Sequence, residues 1–239
     1  METQPRIFRG RTEIYVPNGA SEIIYVTPAV GPNTYQNVGR QIITEGLVPP
    51  TGDETALLIH QAYAGKLKDG TELKEVRDIV QKRFFWAFNR NLWTQSGMFS
   101  TTDRKAIGRS QELDEEVLDQ AIKGGLDING VRFSQDGTVR FAPKGSYTFG
   151  EMSAEELAKD GAMIAQYGVE GAKLLAEAST TRKNKPITYG LNIQKGQTPQ
   201  IHVSTLDENG SRLRFGGLDD FFCVGGCAFG VRALSAKKI

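Results

Sequence analysis

The stretch Phe84–Trp93, FFWAFNRNLW, is densely aromatic, with aromatic side chains at half of its positions. It follows a segment whose apolar residues recur at helical spacing, and Val80, Phe84 and Phe88 continue that spacing. The pattern therefore predicts one central helix that begins near Asp69 and runs into the aromatic stretch. A helix that is apolar on nearly every side is typical of an element buried all round, or of one that covers a partner.

Length and composition indicate a folded domain with little net charge. The 239 residues are enough to bury a sizeable core without disulfides or metal ions, and 39% of them are apolar. Because the net charge is +1, binding to nucleic acid, membrane or an acidic partner must come from a local patch. The N-terminus lacks an apolar signal segment and no stretch is long enough to span a bilayer, so we expect a soluble cytoplasmic protein.

Strand signals open the chain. The run TEIYVPNGASEIIYV, residues 12–26, predicts a β-hairpin around Pro17–Ala20, because β-branched and aromatic residues flank a turn sequence. A four-residue loop there pairs Val16 with Ser21. This hairpin forms the N-terminal part of the predicted sheet.

Helix signals follow in the middle of the chain. Capping pairs predict helix starts after Thr51 and Ser153, and the acidic run after Ser110 predicts another helix. No composition break is sharp, so we expect one domain over residues 1–239, with a division near 124–125 as the alternative.

The C-terminal third again reads as sheet. Alternating apolar and polar residues after Pro186 predict antiparallel strands, with residues 228–234 as the last one. Strands and helices do not alternate as βαβ units. The predicted fold class is therefore α+β, with an antiparallel sheet built from N-terminal and C-terminal hairpins and about five helices packed on it.

Both cysteines lie in FFCVGGCAFG, residues 221–230. Together with His60 and His202 they equal the four ligands of a tetrahedral zinc site. Their spacing in sequence fits no zinc motif, so no metal site is predicted. The common nucleotide and cofactor motifs are missing as well, so no cofactor is predicted. Gly225 and Gly226 predict a bulge or tight turn that leads into the last strand.

The same stretch supports an enzyme hypothesis. Cys227 would act as the nucleophile of a hydrolase or transferase, with His202 as its base and Asp219 or Asp220 orienting the histidine. Small residues on either side of Cys227 leave backbone that a substrate could approach. The alternative interpretation is a buried structural cysteine, since no signature of a cysteine hydrolase is present.

A basic and aromatic segment suggests an interface. Positions 82–109 contain six basic residues and only one acid, Asp103, and aromatic residues are interleaved with the first of the basic ones. Single-stranded nucleic acid is bound by this combination, although the aromatic residues could equally be core. The candidate residues for binding nucleic acid, another protein or a second copy of the chain are Lys82, Arg83, Trp86, Arg90, Trp93, Arg104, Lys105 and Arg109.

A second hairpin, VRFSQDGTVRF, suggests an anion site. A three-residue loop pairs Phe133 with Val139 and places Arg132 opposite Arg140 on the outer face. Opposed like charges repel unless an anion or an acid lies between them, so a phosphate or carboxylate between the two guanidinium groups is one hypothesis. Arginines that spread into solvent, or a bridge to Glu151, are the alternative.

No catalytic signature is complete in this sequence, and no family resemblance suggests one. The sequence therefore favours a binding or structural protein over an enzyme. The cysteine-dependent enzyme and the single-stranded nucleic-acid-binding protein are the alternatives.

Overall fold

A mostly antiparallel sheet of thirteen strands runs through the protein in a computed structural model that describes residues 6–7, 13–218 and 225–232. The helices in these ranges are α1 (Tyr35–Thr44), α2 (Gly52–Tyr63), α3 (Thr71–Lys82), α4 (Glu115–Ile122), α5 (Ala154–Lys159) and α6 (Gly161–Thr180). The strands are β1 (Arg6–Ile7), β2 (Glu13–Asn18), β3 (Ser21–Asn33), β4 (Phe84–Trp93), β5 (Gly97–Thr102), β6 (Leu126–Ile128), β7 (Val131–Phe133), β8 (Val139–Pro143), β9 (Gly150–Glu151), β10 (Ile187–Thr188), β11 (Gln200–Glu208), β12 (Leu213–Leu218) and β13 (Gly226–Val231).

The strand order joins the two ends of the chain. The main path is β1-β2-β3-β13-β4-β11-β12-β10-β9, and β5, β8, β7 and β6 branch from β4. The mixed α and β content and the mostly antiparallel pairing agree with the predicted fold class. Two pairings are parallel, β13 with β4 and β10 with β12, and β13 lies in the middle of the sheet between β3 and β4.

The aromatic stretch Phe84–Trp93 is the central strand β4, so the prediction of a continuous helix was wrong. Helix α3 ends at Lys82, and Arg83 after it is already extended, with φ −145° and ψ 173°. From Phe84 onward the chain pairs with β13, β11 and β5.

Both faces of β4 are buried, which explains the misassignment. On one face Phe85 stacks on Phe229 of β13, at 5.9 Å between ring centroids, in the core that α2, α3 and α6 cover. On the other face Trp86 and Phe88 pack against Tyr35 of α1, at 5.6 and 4.6 Å. A strand that is covered on both sides loses its alternation of apolar and polar residues.

The N-terminal hairpin exists, but its register is tighter than predicted. Asn18 pairs with Ser21 and Val16 with Ile23, so the expected pairing of Val16 with Ser21 was wrong. Gly19 has a φ of +61° and lets a two-residue turn replace the four-residue loop. The C-terminal hairpin of β11 and β12 is antiparallel, as expected.

Capping explains where the helices begin. The hydroxyl of Thr51 accepts a hydrogen bond from the Glu54 amide at 3.3 Å, and the Glu54 carboxylate accepts one from the Thr51 amide at 2.8 Å. Ser153 forms the same capping box at α5. Helix α4 begins later than predicted, because its cap is Asp114 and not Ser110, which lies in a 3-10 turn.

Helix α6 is the longest of the described helices, with 20 residues, and it is broken at Gly168, where φ is 76° and ψ is 166°. Two helical pieces therefore meet at an angle above the sheet. Among the described ranges, none of the helices combines the length and apolar character needed to cross a bilayer.

Candidate ligand-binding groove

The structure does not bring the predicted nucleophile and base together. Cys227 lies opposite Phe85 of β4, which in turn lies opposite Leu206 of β11. His202 is four residues before Leu206 on β11. With about 4.8 Å between strands and about 3.3 Å per residue, the Cα atoms of Cys227 and His202 are about 16 Å apart. Cys227 and His202 therefore form no dyad.

The remaining residues of the enzyme and zinc-site hypotheses either lie apart from one another or fall outside the described ranges. Cys223, Asp219 and Asp220 lie outside the described residues. His60 on α2 lies 2.9 Å from the carboxylate of Glu177 on α6, which occupies its Nε2 atom. Within the described ranges no three His, Cys, Asp or Glu side chains are grouped so as to hold a metal ion.

Most side chains of the basic and aromatic segment are buried or bonded to other residues of the chain. Trp86 and Trp93 are 0% and 1% exposed, so neither ring offers nucleic acid a surface for stacking. Arg90 is also buried and donates to the backbone carbonyl of Gln111. Arg104 donates to both carboxylate oxygens of the helix-capping residue Glu54, each at 2.8 Å. Within this segment, the exposed cations that form no ion pair with a described residue are Lys82, Arg83 and Lys105.

The proposed opposition of Arg132 and Arg140 was wrong. Phe133 pairs with Arg140, and Arg132 pairs with Phe141, so the two arginines lie on opposite faces of the hairpin. Each guanidinium lies over the ring of its partner, at 4.6 Å from Phe141 and 5.5 Å from Phe133. Glu151 pairs with Arg212 and not with either of them.

The register differs because both faces of this hairpin are covered. Phe133 lies in the core beneath α6, whereas Phe141 packs with Phe99 and with residues of α4. The prediction had assumed a single apolar face. The loop is also one residue longer than assumed, since Asp136 accepts hydrogen bonds from the Ser134 hydroxyl at 2.6 Å and the Thr138 amide at 3.0 Å.

A buried polar cluster, which the sequence did not reveal, surrounds the break in α6. A bulge in β4 turns Asn89 towards α2 and α6, where its side chain accepts from the Gly52 amide at 3.2 Å and donates to the Gln166 carbonyl. The side-chain oxygen of Gln166 accepts from Asn91 at 3.2 Å and from Ser204 at 2.9 Å. These four side chains, Asn89, Asn91, Gln166 and Ser204, are at most 3% exposed.

Asp53 and Arg140 complete this cluster. Arg140 donates to the Asp53 carboxylate at 2.8 Å and to the Ala165 carbonyl at 3.5 Å. A Cβ atom at Gly168 would lie 2.0 Å from Asp53 Oδ1, so the carboxylate sits against the start of the second piece of α6. Burial raises the pKa of Asp53, and the adjacent Arg140 opposes that rise. Apart from Asn91 Oδ1, which is buried without a hydrogen-bond partner among the described residues, the side chains of this cluster bond to one another and to the backbone.

A groove of about 490 Å³ lies between α3 and β3. Helix α3 turns two rows of side chains towards it at four-residue spacing, and the thiol of Cys227 lies at its floor. Most of the lining surface is carbon. The lining residues are Ala29, Gly31, Pro32, Thr71, Lys74, Glu75, Asp78, Ile79, Lys82, Arg83 and Cys227.

Close backbone approach shapes the floor of the groove. Gly31 has a φ of +113°, and a Cβ atom there would lie 2.6 Å from the carbonyl oxygen of Gly226 and 3.2 Å from the sulfur of Cys227. The register shift between Gly226 and Ala228 is the bulge that the sequence predicted. A Cβ at Gly226 would lie 2.0 Å from Trp86 Nε1, whereas at Gly225 the nearest atom is 3.9 Å away. The constraint therefore acts at Gly226 and not at Gly225.

The charges around the groove are unevenly paired. Lys74 donates to Asp78 at 2.7 Å, and the carboxylate of Glu75 accepts from the amide of Ala29 at 2.9 Å. Burial raises the pKa of the Cys227 thiol, an effect that Arg83 partly opposes, so the thiol stays protonated near neutral pH. The floor of the groove is rich in carbon, and at one end Lys82 and Arg83 form no ion pair with any described residue.

Comparison of this chain with protein-family models, with curated proteins and with solved structures finds no match. A function is therefore inferred from the groove beside α3.

Proposed function

We propose that this protein binds a small ligand in the groove between α3 and β3. The observation that carries the proposal is the groove itself, about 490 Å³ of space with a carbon-rich floor and five charged side chains in its lining. Its volume lies within the roughly 300–1,000 Å³ of sites for small ligands.

The state of Cys227 supports binding over thiol chemistry. A nucleophilic cysteine needs a histidine partner, a helix N-terminus or cations that lower its pKa. The pKa of Cys227 is raised by burial, and His202 lies two strands away. We therefore assign the thiol to the lining of the groove.

Binding of single-stranded nucleic acid or of a second copy stays a prediction with less structural support. The segment 84–93 presents no exposed tryptophan, since Trp86 and Trp93 are buried in the chain. An interface in this region would rely on the exposed cations Lys82, Arg83 and Lys105.

The test is a fragment screen by NMR on the ¹⁵N-labelled protein, with a variant that fills the groove. We expect amide shifts from binding fragments to cluster on α3 and β3, and to disappear in Ala29→Trp because the indole occupies the floor. Val117→Trp adds the same group at a position on α4 that is 63% exposed, and this control should leave binding unchanged. Shifts that cluster elsewhere, or that persist in Ala29→Trp, would contradict the proposal.

A further inference from the structure

We infer that the ligand of this groove is an amphiphilic anion, with a carboxylate or phosphate group held by Lys82 and Arg83 and an apolar body on the floor beside Cys227. The inference rests on the proposed function and specifies the chemical class of the ligand. Its basis is the pairing of every charged group that lines the groove.

Three of the five charged side chains in the lining are already engaged. Lys74 is paired with Asp78, and Glu75 accepts the backbone amide of Ala29. Lys82 and Arg83 are exposed and form no ion pair with any described residue. Three cations and two anions give the lining a net positive charge, and the two cations without an ion pair to a described residue lie where α3 ends.

The acids of the adjoining hollow do not neutralise it. Asp207 and Glu208 line an adjoining hollow together with Lys82 and Arg83. Asp207 is held by both nitrogens of the Arg214 fork, at 2.5 and 2.6 Å. The Glu208 carboxylate accepts from Arg182 at 3.1 Å and from the Tyr63 hydroxyl at 2.9 Å.

The position of the two cations favours an anion without requiring one for folding. The C-terminal end of a helix stabilises positive charge, so Lys82 and Arg83 are tolerated there when the groove is empty. A guanidinium group also presents paired N–H donors that match a carboxylate or phosphate. An anion at this point gains hydrogen bonds and loses no existing protein pair.

The floor accounts for the apolar part of the ligand. Ala29, Pro32, Ile79 and the protonated thiol of Cys227 offer carbon and sulfur with no charge. A methylene group that is buried on such a surface is expected to tighten binding by up to about fourfold. The ligand therefore needs both a charged head and a hydrocarbon or aryl body.

The experiment is isothermal titration calorimetry at low salt with three probes that share a ten-carbon chain, decanoate, decanol and decyltrimethylammonium. We expect decanoate to bind at least about tenfold more tightly than decanol, and the cation to bind most weakly. The preference for decanoate should vanish in the double variant Lys82→Gln/Arg83→Gln, while decanol binds as before. It should persist in Lys105→Gln/Lys195→Gln, which removes the same charge from exposed positions elsewhere.

A salt titration of the unmodified protein gives an independent readout. Raising the ionic strength should weaken the binding of decanoate and leave that of decanol nearly unchanged. Equal affinities for decanoate and decanol, with both lost in Ala29→Trp, would overturn the inference and keep the proposed groove. A preference for decanoate that survives Lys82→Gln/Arg83→Gln would also overturn it. Failure of every probe to bind would count against both proposals.

Discussion

The cluster at the break in α6 and the groove beside α3 use polar side chains in opposite ways. At the break, Asn89 and Gln166 are buried and their polar groups hydrogen-bond to neighbouring groups of the fold. At the groove, Lys82 and Arg83 are exposed and form no ion pair within the described part of the chain. Both regions lie beside the central strand β4.

The difference shows that a charged side chain indicates a binding site only when it is not already paired with another group of the protein. Arg140 carries the same guanidinium group as Arg83, but this group pairs with Asp53 and donates to a helix carbonyl. The Arg140 side chain is 13% exposed. A buried group that is fully paired stabilises the fold and has no capacity for a ligand. Substitutions should therefore change stability at the break and binding at the groove.

The largest stability effect is expected for Asn89→Ala. This change leaves the Gly52 amide and the Gln166 carbonyl buried without their partner, so the free energy of unfolding should fall by about 2–4 kcal/mol. Urea denaturation measures it. Asn192→Ala, at an exposed position, is the control and should change the free energy by less than about 0.5 kcal/mol. Equal losses in the two variants would mean that the cluster is not a stabilising network.

A smaller effect is expected for Gly168→Ala. Gly168 and Gly137 have similar positive φ angles of +76° and +71°, but only at Gly168 would the new Cβ meet an atom, Asp53 Oδ1 at 2.0 Å. We expect a loss of about 2–3 kcal/mol for Gly168→Ala and of about 1 kcal/mol for Gly137→Ala in the same urea assay. Because Gly168 also has a ψ of 166°, its backbone contributes to the loss, and equal losses would mean that neither this conformation nor the contact with Asp53 adds to the cost seen at Gly137.

The smallest effect concerns the pH dependence of Cys227, measured in a Cys223→Ser background by iodoacetamide alkylation and mass spectrometry. Because its pKa is raised in the fold, alkylation at pH 8 should be at least about tenfold slower than that of glutathione. The rate should climb only above the usual range of a thiol.

The linked effect on stability has a definite sign. The folded state holds the proton of Cys227 more tightly than the unfolded state, so this contribution is present below the ordinary thiol pKa and is lost as the pH rises through the raised value. A rate equal to that of glutathione at pH 8 would mean that the thiolate is accessible, which would reopen the enzyme hypothesis.

Features that depend on neighbouring residues were predictable from the sequence. The capping boxes at Thr51 and Ser153 were correct because a cap and its partner are three residues apart. The bulge near Gly226 was correct for a related reason, since glycines in a strand signal close backbone contact.

Features that depend on what covers an element were not predictable. The stretch Phe84–Trp93 read as a helix because helices cover both faces of β4, which removes the alternation that marks a strand. The predicted register of the hairpin that carries Arg132 and Arg140 was wrong for the same reason, because α6 and α4 cover its two faces.

The sequence by itself determined the α+β class, the helix starts at Thr51 and Ser153, and the local excess of positive charge around Lys82 and Arg83. The tertiary structure alone decided that the tryptophans are core, that Cys227 and His202 are apart, and that the two cations border a groove. Helix caps and charge excess are set by residues near in sequence, whereas a groove forms where β3 and β13 meet α3, from segments far apart in the chain. Which groups remain unpaired is known only once such segments have come together.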